Sequence, residues 1–179
     1  MMLRLINPTM ISILLLSFID VPLFGQYVPG FIHDMLDDNG LEFIYPPEEA
    51  RFQFFDGDHT KNFPYDFKLR KKDLEILIQV DENNNGNHPH IQFARNLANL
   101  AFNSDDSFIH VRSFSEDQMN ERNADWMLEA DFQPRGFYLK KYGKLVSFYS
   151  DNGSIVNLVY LYMKELEEYP MLKVKSYNN

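Results

Sequence analysis

Ile155-Val156-Asn157-Leu158-Val159-Tyr160-Leu161-Tyr162-Met163 is the stretch that decides the fold. Ile155, Val159 and Leu161 fall on one side of an extended chain, and Val156, Leu158, Tyr160 and Tyr162 on the other. A strand apolar on both sides belongs at the centre of a sheet covered by helices front and back. The residues just before it supply its neighbours. Asn152-Gly153 between apolar runs is a strong hairpin signal, because a tight turn needs positive φ at both central positions. Leu145 to Ser150 is then the preceding strand. Phe137 to Tyr142, behind a Gly143 turn, completes an expected three-strand meander.

Further upstream, Ala124, Trp126, Leu128, Ala130 and Phe132 alternate with Asp125, Met127, Glu129 and Asp131, the pattern of a half-buried strand. Phe108 to Arg112 reads as another strand, and Ser115-Glu116-Asp117-Gln118 as a capping box opening a short helix. Phe63 to Leu69 and Leu74 to Val80 alternate on either side of a basic connection and predict an antiparallel hairpin. A helix is expected from Pro89, where the missing N–H costs nothing, with Phe93, Leu97, Leu100 and Ala101 on its buried face. Near the start, Phe31, Ile32, Met35 and Leu36 mark a helix that stops at Gly40. Leu41 to Tyr45 and Arg51 to Phe55 are two short strands. Lys164 to Tyr169 is an expected closing helix, and Met171 to Tyr177 a terminal strand.

These elements add up to an α+β single domain, residues 26–179: a mainly antiparallel sheet of about six to eight strands with helices packed on it, as an α/β/α sandwich. Composition agrees with a globular chain, at 45% apolar and 24% charged residues.

Residues 1–25 read as a signal peptide. Arg4 precedes the apolar run Met10 to Ile19, Pro22 breaks it, and cleavage after Gly25 is preferred. The run is about ten residues long, half of what a bilayer span requires, so no stable membrane insertion is expected after cleavage. The expected address is exported, periplasmic or secreted. The chain has no cysteine, which rules out disulfide bracing, a cysteine-linked lipid, thiol nucleophiles and thiolate metal sites. A net charge of −9 argues against nucleic acid as a partner, since phosphate needs clustered Lys and Arg.

Candidate chemistry is sparse. Asp81-Glu82-Asn83-Asn84-Asn85-Gly86 matches the first half of a calcium loop, with Asp81, Asn83 and Asn85 as ligands, but Gln92 stands where a bidentate Glu should close the site. His88-Pro89-His90 offers two imidazoles, to which His59, Asp56 or Asp58 would have to add a third zinc ligand. Asp125, Glu129 and Asp131 share a strand face and have the spacing of an acid–base pair, although such a row is more often a solvated face. His110 alternates with Phe108 and Ile109 and is expected to be structural. The chain contains no G-x-S-x-G, S-x-x-K, H-E-x-x-H, G-x-x-x-x-G-K-[ST] or G-x-G-x-x-G motif. No catalytic residue and no cofactor is therefore assigned.

The Asn123-Ala124-Asp125-Trp126 strand, the Phe132-Gln133-Pro134 that follows and the Lys141-Tyr142-Gly143-Lys144 hairpin leading to Asp151-Asn152-Gly153 resemble small exported domains of the PsbP/Mog1-like α/β/α sandwich class. The resemblance spans roughly Leu41 to Tyr177. It implies a binding or assembly scaffold without shared catalytic residues. The expected function is a non-enzymatic binding or assembly module for an envelope or extracellular protein or small ligand. The alternatives are a metal-assisted or acid–base hydrolase of extracellular polymers and a calcium-stabilised adhesion module.

Overall fold

The computed structural model describes residues 28–44, 52–81, 88–102, 108–149, 154–164 and 172–174. The expected signal peptide, the Asn152-Gly153 turn and all of the closing helix except Lys164 lie outside these residues.

In chain order the elements are α1 (Gly30–Asp38), β1 (Leu41–Phe43), β2 (Gln53–Asp58), β3 (Tyr65–Lys71), β4 (Leu74–Asp81), α2 (Pro89–Leu100), β5 (Ile109–Ser113), α3 (Glu116–Asn120), β6 (Trp126–Phe132), a 3-10 turn (Gly136–Tyr138), β7 (Tyr142–Tyr149), β8 (Ile155–Tyr162) and β9 (Leu172–Val174). Seven strands form one sheet in the order β2-β3-β4-β8-β7-β6-β5, and every neighbouring pair is antiparallel. β8 lies at its centre between β4 and β7, and all its residues but Tyr162 are buried. Of the expected terminal strand the described residues are Leu172–Val174, which join β1 in a separate two-stranded sheet.

Alternation in β4, β7 and β8 divides the apolar residues between two cores. One contains Ile76, Ile78, Val146, Phe148, Val156, Leu158 and Tyr160 with Ile32 and Leu36 of α1; the other contains Leu77, Leu145, Val159 and Leu161 with Phe93, Leu97 and Leu100 of α2. Each helix turns its apolar stripe inward. Local signals also hold. Pro89 opens α2, and Ser115 and Gln118 exchange both bonds of a capping box at α3. Lys72, at positive φ, turns the β3–β4 hairpin. Among the described residues, no helix is long and apolar enough to cross a membrane.

Two expectations need correction. Phe137 to Tyr142 is not a strand: Gly136–Tyr138 is a 3-10 turn, and the strand begins at Tyr142 and runs straight through Gly143. Gly143 sits opposite Phe132 in the β6–β7 pair, and a Cβ on it would come within 2.5 Å of the Phe132 ring. The glycine therefore makes room for a cross-strand aromatic ring rather than a turn. Nor is β6 half solvated. Met127 is buried in the first core, and Glu129 and Asp131 are only partly exposed.

Candidate functional site

The charged row of β6 builds the site. Glu129 lies directly opposite Arg112 of β5, and Asp131 directly opposite Lys144 of β7. Side chains on one face of neighbouring strands also reach their diagonal neighbours, and here they close a ring. Glu129 Oε1 meets Arg112 Nη2 at 2.6 Å and Glu129 Oε2 meets Lys144 Nζ at 3.3 Å. Asp131 Oδ2 meets the same Arg112 nitrogen at 2.8 Å, and Asp131 Oδ1 meets Lys144 Nζ at 2.9 Å. All four carboxylate oxygens thus face a cation. The Lys144 side chain is only 11% exposed, whereas that of Arg112 is 47% exposed.

This ring borders an open cleft of about 700 Å³ lined by residues of β5 to β8 together with Phe108, Met163 and Lys164. Tyr160 and Tyr162 also line it, the first fully buried. Tyr142 and Tyr162 are register partners on β7 and β8, and their rings stack at 5.6 Å with an interplanar angle of 28°. Lys141 Nζ lies 5.0 Å from the Tyr142 ring centre, and its hydrogen bond with Tyr142 raises its pKa above the ordinary lysine value. The cleft therefore combines an aromatic wall, a braced charge ring and exposed Lys164 at one rim.

Of the acid–base row read from sequence, Asp131 lines the cleft and Glu129 braces its wall, whereas the described metal-ligand candidates lie elsewhere. Asp81 ends β4 and accepts a 2.6 Å hydrogen bond from Gln92 Nε2. The first and twelfth positions of the loop do meet, but an amide donor occupies the carboxylate where a cation would have to sit. Asn83 and Asn85 lie outside the described residues. His88 precedes α2, exposed and without a side-chain capping bond. His90 stands edge-on to Trp126 at 4.8 Å. His59 pairs with Asp66 at 3.8 Å, while Asp58 is held by Thr60 and Lys61. The Thr60 hydroxyl and amide, with Lys61, lower the Asp58 pKa. Burial raises that of Asp66, opposed by the bond from the Val80 amide and by His59. Among the described residues, no three His, Asp or Glu side chains form a group able to hold a metal ion. His110 is exposed on the edge strand β5 rather than packed inside.

Sequence reasoning singled out Glu129 and Asp131 but missed their partners Arg112 and Lys144, because these groups meet only across strands. Lys144 beside the buried run Leu145-Val146 was the available signal, since a buried lysine needs a partner. A second polar group, Ser147, Asn157, Gln79 and Asn96, links β7, β8, β4 and α2 by hydrogen bonds. Comparison with protein-family models, curated proteins and solved structures finds no match to this chain.

Proposed function

We propose that the chain is a binding or assembly module whose working surface is the cleft bordered by β5 to β8. The charge ring carries this reading. An acid–base hydrolase needs two carboxylates in unlike environments, one of them free to hold a proton. Glu129 and Asp131 instead share the same two cations, with each oxygen engaged. Such a ring fixes the cleft wall without supplying a reactive group, and the stacked tyrosines offer a flat apolar contact of the kind that orients small ligands.

The wider setting belongs to the same proposal. Because α1 and α2 contribute to different cores, an α/β/α sandwich of the PsbP/Mog1-like kind is the reading we favour, and the composition of residues 1–25 supports export. A mature chain beginning at Gln26, by mass spectrometry, is the expected result; retention of residues 1–25 would contradict cleavage and release. The cleft is tested by thermal melting with a small-molecule library. Ligands that raise the Tm of the wild type but not of Tyr162→Ala support it, because stabilisation follows occupancy of the folded state. Ligands that stabilise both equally would remove it.

A further inference from the structure

We infer that the cleft takes a small organic acid, one carboxylate on a flat ring-bearing body, with the carboxylate seated on Arg112. This rests on the cleft being a binding surface and goes on to name its ligand class. Both carboxylate contacts of Arg112 run through Nη2, and no described residue is bonded to Nε or Nη1. A guanidinium is a rigid planar fork. Held at one nitrogen by Glu129 and Asp131, it keeps its other edge in a fixed plane, and that edge matches the two oxygens of a carboxylate.

Charge gives the same class. Arg112, Lys144 and Lys164 line the cleft, and Glu129 and Asp131 balance two of these three. Among the described residues that line or border the cleft the surplus is positive, in a chain whose net charge is −9, and a monoanion neutralises it. The body of the ligand is set by the Tyr142–Tyr162 pair and Met163, which favour a ring over a flexible polar chain.

The test uses the full chain, isotopically labelled for NMR, titrated with phenylacetate, neutral phenylacetamide and phenyl phosphate. Phenylacetate is expected to shift the Tyr142, Tyr162 and Arg112 signals saturably and to bind at least about tenfold more tightly than the amide. Arg112→Gln is expected to abolish that preference. Lys164→Gln bridges no carboxylate among the described residues, so it serves if the first variant fails to fold; it is expected to weaken the acid but not the amide. Equal binding of acid and amide in the cleft would overturn the carboxylate assignment while leaving the binding surface intact. So would tighter binding of phenyl phosphate. No saturable shift at the cleft with any of the three would overturn the assignment, and a library that also fails to raise the wild-type Tm would remove the surface itself.

Discussion

Gly143 shows how one residue type can be read in two ways. In sequence it stands between apolar runs and predicts a turn; in the structure it is the cross-strand partner of Phe132, whose ring occupies the space above its Cα. Only knowledge of the strand pairing separates the two, and the partners lie eleven positions apart. Gly143→Ala should cost about 1–3 kcal/mol in urea denaturation, since the buried Phe132 ring has nowhere to move. Tyr138 carries the opposite prediction. Its hydroxyl is buried without a partner, and burial raises its pKa from 10.0 to about 12. The folded state thus holds this proton more tightly than the unfolded chain. Stability from that difference is complete below about pH 10 and lost as the pH rises toward 12. Tyr138→Phe should therefore be neutral or up to about 1 kcal/mol stabilising at pH 7. Its stability should also fall less than the wild type's between pH 10 and 12. A loss above 1 kcal/mol at pH 7 would show that the hydroxyl is satisfied after all.

At the scale of elements, local chemistry was legible and lateral chemistry was not. Pro89 opening α2, the Ser115 capping box and the Phe63–Val80 hairpin each follow from residues a few positions apart. The Phe93, Leu97 and Leu100 stripe was readable too, yet Gln92 and Asn96, buried beside it, were not. Their role comes from strands far away in sequence. Asn157, fully buried in the middle of β8, accepts from the Ser147 hydroxyl and donates to Gln79, and Gln79 also accepts from Asn96. A polar residue inside an otherwise apolar strand was the one visible sign. Asn157→Ala should cost about 2–3 kcal/mol, because it orphans the Ser147 hydroxyl and one Gln79 bond. Adding Ser147→Ala should recover part of that loss; a simple sum of the two single effects in a double-mutant cycle would refute the coupling.

For the whole molecule, the doubly apolar run at Ile155–Met163 placed β8 at the centre of a seven-stranded antiparallel sheet, and that placement organises both cores. The cleft stayed hidden because Arg112, Glu129, Asp131 and Lys144 come from three strands and acquire meaning only in register. The metal candidates read from sequence, Asp81, His88 and His90 among the described residues, are not drawn into the cleft, whereas Glu129 and Asp131, read as an acid–base row, form its braced wall. The most direct measurement is a chemical-shift map of the labelled protein during a small-molecule fragment screen. The account predicts that fragment-induced shifts concentrate on Arg112, Tyr142, Lys144, Tyr162 and Lys164. Shifts centred instead on Asp81, His88 and His90, with the cleft silent, would contradict it.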